Sequence, residues 1–125
     1  DTDDIRSLAG DPIVVHYAPQ GEVLARARLA LTHGGLNTVL DALACGVPLI
    51  AVPLTYEQPA IAARLRWTGA GLSISSGKLK AGLLRETIRS VLEGEAYTRN
   101  ARRLAASIAA AGGVVRAGDI IESLL

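Results

Sequence analysis

The sequence contains no methionine and no phenylalanine, one tryptophan, three tyrosines and a single cysteine, Cys45. A lone cysteine excludes an internal disulfide and a zinc site built from several thiolates, and a reducing, cytoplasmic setting is the expectation that follows. Neither sign of charge dominates: 13 basic side chains stand against 12 acidic ones, for a formal net charge of +1. Such a balance leaves no electrostatic footprint for nucleic acid, and no basic stripe interleaved with aromatics is present. Long apolar runs are missing too, because charges, glycines or prolines interrupt each one before the roughly 18 consecutive residues of a membrane span. The first residues do not read as a secretory leader. Neither GxxxxGK[ST] nor GxGxxG occurs, which removes the fingerprints of P-loop ATPases and nicotinamide enzymes. With no methionine and Asp1 as its first residue, the sequence is expected to be a piece of something longer.

Half of the 125 residues are hydrophobic, chiefly Ala, Leu, Ile and Val, which allows one domain with one core and suits helices packed closely on a sheet. The β-branched run IVVH, Ile13 to His16, lies between Gly-Asp-Pro and Ala18-Pro19-Gln20 and predicts a buried strand, with His16 a packed residue. A short helix is expected over Glu22 to Ala27 and a second short strand over LALT, residues 29–32. After Gly34-Gly35, the residues Leu36, Val39, Leu40, Leu43 and Ala44 recur at helical spacing as far as Gly46, a helix-terminating residue. PLIAVP is a near-continuous apolar strand, Pro59 to Trp67 a helix ending near Gly69, and AGLSIS from Ala70 a fourth strand. Ala81 to Leu92, Thr98 to Ala111 and Val114 to Leu125 read as amphipathic helices. Strands alternating with helices predict repeated βαβ units, hence an α/β fold: a doubly wound, mainly parallel sheet of Rossmann-like type with a C-terminal helical tail.

In open α/β sheets, ligands collect at the carboxyl ends of the strands, where helix N-termini present unpaired N–H groups to anions. His33, Gly34, Gly35, Asn37 and Thr38 fall at such a place. The glycines let the backbone approach a phosphate, and the Asn and Thr side chains add hydrogen-bonding groups. Asp41, four residues after Asn37, shares that helix face about one turn further on, where a carboxylate can accept from a ribose diol. Glu57-Gln58 ends the next strand and adds a polar pair to the same rim, while Tyr17 and Gln20 follow the strand before. Each feature alone has a plainer reading: a histidine satisfying a backbone group, Gly-Gly as a turn, Gln58-Pro59 as a helix start. Gathered at successive strand ends, they point to an anion. The carboxylates Asp1 and Asp3 have the letters of a paired-carboxylate metal site but no strand before them, so no metal site is expected.

Taken in order, Tyr17-Ala18-Pro19-Gln20, THGGLNTVLDAL from Thr32, CGVPLIAVPL from Cys45 and Glu57-Gln58-Pro59 resemble the donor-binding signature of the UDP-sugar-dependent glycosyltransferases with two facing Rossmann-like domains. The likeness covers Ile13 to about Leu72 in motif detail and is closest in look to the bacterial zeaxanthin glucosyltransferase and macrolide glycosyltransferase types. THGGLNTVLDAL and RLAASIAAAGGVVRAGDIIE favour the carotenoid type. The resemblance implies that residues 1–125 are the C-terminal nucleotide-sugar donor-binding domain, N-terminally truncated, one half of a GT-B architecture whose N-terminal acceptor domain is absent from the chain.

It also implies roles. Tyr17 would stack on uracil where a tryptophan often stands, Ala18 would offer backbone hydrogen bonds to the base, and Gln20 would touch the ribose. His33 would contact the diphosphate, helped by the Gly35 N–H, Asn37 and Thr38; Asp41 would accept from the ribose hydroxyls; Glu57 and Gln58 would hold the sugar. Asp41 is one methylene shorter than the Glu more frequent there, Glu57 one longer than the commoner Asp, and Leu36 replaces an aromatic of plant relatives. The implied activity is inverting transfer of a hexose from UDP-glucose or a related UDP-hexose to a hydroxyl of a small, lipophilic acceptor such as a carotenoid or macrolide. No cofactor and no metal are implied. No catalytic residue is expected in these residues either, since the family's general base belongs to the N-terminal domain, and the fragment alone is expected to be inactive. His33 would act electrostatically on the departing diphosphate. The implied partners are the UDP-sugar, the acceptor domain of the same parent and, through a lipophilic acceptor, a membrane surface. Two alternatives stand beside this: a non-catalytic nucleotide-sugar-binding module, and a UDP-sugar epimerase-type enzyme of the same architecture, which would lack YAPQ and EQP.

Overall fold

Period-two alternation along the apolar run PLIAVP decides the layers. In the computed structural model, which describes residues 9–124, this run supplies β2 (Leu49–Ala51). It lies between β1 (Ala30–Thr32) and β3 (Gly71–Ser73) in a three-stranded parallel sheet. The register pairs Leu31 with Ile50 and Ile50 with Leu72. Leu49 and Ala51 point into one apolar layer, Ile50 and Val52 into the other. A parallel strand covered on both faces has no solvent side to encode, which is why the run is apolar throughout.

The crossover helices α2 (Leu36–Ala44) and α3 (Gln58–Thr68) fill the first layer through Val39, Ala42, Leu43, Ala62 and Leu65. A short helix α1 (Gln20–Leu24) adds Leu24 to it, and α5 (Glu95–Ala110) closes it with Ala101. The opposite layer is covered by α4 (Ala81–Glu93), whose Val91 is fully buried. Helices on both faces make the expected doubly wound, Rossmann-like α/β arrangement. A 3-10 turn (Ser76–Lys78) joins β3 to α4, and α6 (Gly113–Glu122) ends the described chain. Gly46 and Gly69 stop α2 and α3 with φ of +70° and +69°, a conformation glycine adopts without steric cost.

The structure corrects several expectations. Ile13 to His16 form no strand: Ile13 is 92% exposed, His16 is exposed rather than packed, and residues 11–15 have no regular structure. No strand lies beside this run among the described residues, so its backbone has no ladder to join, and three strands stand where four were expected. The first helix starts two residues earlier than predicted and ends at Leu24, and α5 starts at Glu95 rather than Thr98. Asp1 to Asp3 and Leu125 lie outside the described residues. Within the span Glu95–Glu122 an 18-residue stretch reaches a mean hydropathy of 1.5, apolar enough by length and composition to cross a membrane. It is nevertheless two helices, broken where Gly112 and Gly113 take φ of +78° and +53°, and it contains Arg116 and Asp119.

Candidate functional site

Everything about the start of α2 leaves backbone donors free. β1 ends at Thr32, whose hydroxyl oxygen accepts the Gly34 N–H at 3.2 Å and turns the chain, with Gly34 at φ +90°. The first intrahelical bond runs from the Val39 N–H to the Gly35 carbonyl at 3.1 Å. The N–H groups of Leu36, Asn37 and Thr38 therefore precede the first bond of the helix. No side chain caps them and no acidic residue occupies the first turn. Partial positive charge at this end favours an anion.

Side chains complete the cleft at this helix start. His33, Gly35, Leu36, Asn37, Thr38 and Glu57 line one open cleft of about 360 Å³. The imidazole of His33 lies over Gly35 so closely that a Cβ there would stand 2.7 Å from Nε2. A side chain at 35 would therefore push the exposed His33 ring from this position, while the backbone there, at φ −60° and ψ 135°, suits any residue. Glu57 stands immediately before α3, six residues past the end of β2 rather than at the strand end, and brings a carboxylate to the same cleft. A carboxylate repels an anion but accepts well from neutral hydroxyls, so the helix-start end of the cleft suits an anion and the Glu57 end suits hydroxyl groups.

The structure brings together five of the ten residues singled out from sequence in this cleft: His33, Gly35, Asn37, Thr38 and Glu57. Gln20 and Asp41 meet each other instead, the Gln20 amide Nε2 donating to Asp41 Oδ2 at 2.7 Å. Gln58 turns its Oε1 to the loop before it, accepting the N–H groups of Leu54 at 2.9 Å and Thr55 at 3.1 Å. That loop carries Tyr56 at φ +54°, a strained value for a bulky residue. Tyr17 and Ala18 precede α1 in exposed chain, outside the lining of the His33 cleft. Sequence reasoning missed the part of Thr32. The signal for it was there, a threonine two residues ahead of a glycine, the spacing of a hydroxyl-closed turn.

No group of three or more His, Cys, Asp or Glu side chains able to hold a metal ion occurs among the described residues.

Comparison with known proteins places this geometry in context. Zeaxanthin glucosyltransferase of Pantoea ananas is 38% identical over 112 residues, 90% of this chain and 26% of that protein. The solved structure of the kitacinnamycin glycotransferase superposes with a TM-score of 0.88 at 30% identity, over 94% of this chain and 31% of that one. Os79 from O. sativa, solved with UDP and deoxynivalenol-3-glucoside, gives a TM-score of 0.73 at 32% identity, over 83% of this chain and 28% of that one. The chain thus spans about a quarter to a third of the length of the proteins it matches, and its fold is that of GT-B glycosyltransferases. The sequence model described as UDP-glucoronosyl and UDP-glucosyl transferase matches residues 3–109, and the chain belongs to that family.

Proposed function

We propose that this chain is the nucleotide-sugar donor-binding domain of an inverting glycosyltransferase that moves a hexose from a UDP-sugar to a hydroxyl of a small, lipophilic acceptor. The observation that carries the reading is the cleft at the start of α2, where uncapped N–H groups, His33 and the carboxylate of Glu57 meet. The diphosphate sits against the helix start and His33, and the sugar hydroxyls sit toward Glu57. The uracil lies toward Tyr17 and Ala18, and the ribose toward Gln20 and Asp41. The UDP complex of Os79 and the family's description support a UDP-sugar as donor, and the zeaxanthin glucosyltransferase supports a lipophilic acceptor.

His33 in this reading is an electrostatic group. Negative charge grows on the diphosphate as the bond to the anomeric carbon breaks, and donors already fixed in place stabilise it without reorganising. The acceptor's proton goes to a base that belongs to the acceptor half of the parent enzyme. The donor needs no metal for this, and the parent works in the cytoplasm, where UDP-sugars are at hand.

Calorimetric titration of the chain with UDP and UDP-glucose tests the reading. Both are expected to bind, and His33→Ala is expected to weaken both about tenfold, the order of one charge-assisted hydrogen bond, with an unchanged circular dichroism spectrum. Absence of binding heat for either nucleotide overturns it.

A further inference from the structure

Beyond the ends of β2 and β3 lies a cavity of about 650 Å³, larger than the His33 cleft and within the usual size of small-molecule sites. The two are neighbours across one loop: Pro53, Leu54 and Pro59 line the larger cavity, and Glu57 lines the other. Apolar walls come from Leu54, Leu72 and Leu83. Thr87 also lines it, but its hydroxyl donates to the Leu83 carbonyl at 2.7 Å and is spent on its own helix. Two cations reach the cavity from different elements, Arg66 of α3 and Lys78 of the 3-10 turn, and Ser75 and Ser76 add hydroxyls. Among the described residues no carboxylate lines it.

We infer that this cavity is a second small-molecule site, for a soluble amphipathic anion with a carboxylate or similar head and an apolar body. A neutral apolar guest would use the leucines but gain nothing from the exposed guanidinium of Arg66 and ammonium of Lys78. A compact inorganic ion would leave the leucines facing water. An amphipathic anion satisfies both, its head on Arg66, Lys78 and the serines through charge-assisted hydrogen bonds, its body on the leucines. The inference rests on this cavity's own lining and stands apart from the donor reading.

Octanoate is a suitable probe, titrated calorimetrically into the whole chain beside 1-octanol, which lacks the charge, and acetate, which lacks the body. Octanoate is expected to bind at least tenfold more tightly than either. Combining Arg66→Gln with Lys78→Gln is expected to weaken octanoate at least tenfold, whereas Arg99→Gln with Arg103→Gln, which removes the same charge from α5, leaves it unchanged. Lys78→Gln alone, on an exposed turn, reads the same effect at threefold or more should the double variant fail to fold. Octanoate is expected to bind equally well in saturating UDP. The inference is overturned by no octanoate binding, by octanol binding as tightly, by equal losses in both double variants, by competition with UDP, or by binding to phosphatidylglycerol vesicles alone. Failure of UDP to bind, with the octanoate pattern intact, removes the donor reading and leaves this site standing.

Discussion

The Gln20 amide donates to Asp41 Oδ2 at 2.7 Å, joining the start of α1 to α2 across 21 residues of sequence. Both residues are exposed, so the bond is open to exchange with a ligand's hydroxyls. A ribose diol that replaces the amide, or shares the carboxylate with it, gains a hydrogen bond to a charged acceptor, about 1.5–3 kcal/mol. Thymidine diphosphate has no 2′-hydroxyl to give. We therefore expect UDP to bind about tenfold more tightly than thymidine diphosphate, and Asp41→Ala to abolish the difference. Calorimetric titration of both nucleotides measures it, and equal affinity in the unsubstituted chain removes Asp41 from the ribose.

Gly35→Ala separates site geometry from stability. The backbone conformation at 35 accepts alanine, but the new Cβ would press on His33 Nε2 at 2.7 Å and force the exposed ring away from the helix start. Displacing a solvent-exposed ring costs little, within about 0.5 kcal/mol of stability. UDP affinity is expected to fall about tenfold, as in His33→Ala, and the double variant to be no worse than either single one, since both changes remove the same contact. Additive losses would show that the glycine acts on the phosphate by itself.

The order of elements and the cleft residues were legible in the sequence because both rest on local signals. PLIAVP reads as a strand covered on two faces, Gly46 and Gly69 mark the helix ends where they take positive φ, and His33 to Thr38 sit at a strand-to-helix junction. What sequence could not give depends on groups distant in the chain. Ile13 to His16 have the composition of a strand, but a strand exists only with a partner, and none lies beside them among the described residues. Gln58 carries a side chain fit for a sugar, yet its Oε1 holds Leu54 and Thr55, a choice set by the loop's path rather than by residue type. The pairing of Gln20 with Asp41 likewise follows from packing of α1 near α2, which no motif encodes.

Gly71 is where the sheet itself is most sensitive. It is buried in β3, and a Cβ there would overlap the Leu49 carbonyl oxygen and stand 3.1 Å from Leu65 Cδ2. A carbonyl of the neighbouring strand cannot move aside without breaking the parallel ladder, in which Leu49 donates to the Ala70 carbonyl at 3.2 Å. Gly71→Ala is expected to cost about 3 kcal/mol, with a fall in Tm of more than about 10 °C. Thermal denaturation measures it, and a shift of only a degree or two would mean that β3 is not held in this register.

Gln58 offers the sharpest distinction between a residue that would touch the donor sugar and one that holds the loop beside it. Its Oε1 accepts two backbone N–H groups, and removing that acceptor leaves the Leu54 and Thr55 donors to water and the strained Tyr56 turn without its brace. Gln58→Ala is expected to raise amide hydrogen exchange at residues 54–56 about tenfold and to weaken UDP-glucose while leaving UDP unchanged, because the proposed function puts the diphosphate at α2. Gln58→Glu keeps an oxygen in place for the two N–H groups, loses the amide donor and adds a negative charge, whose effect on the diphosphate is read separately from the titration with UDP. If the loop is the route, the Glu variant restores slow exchange and most of the UDP-glucose affinity. If the amide itself touches the sugar, exchange recovers and affinity does not, and the loss of one hydrogen bond, about 1 kcal/mol, remains in the titration.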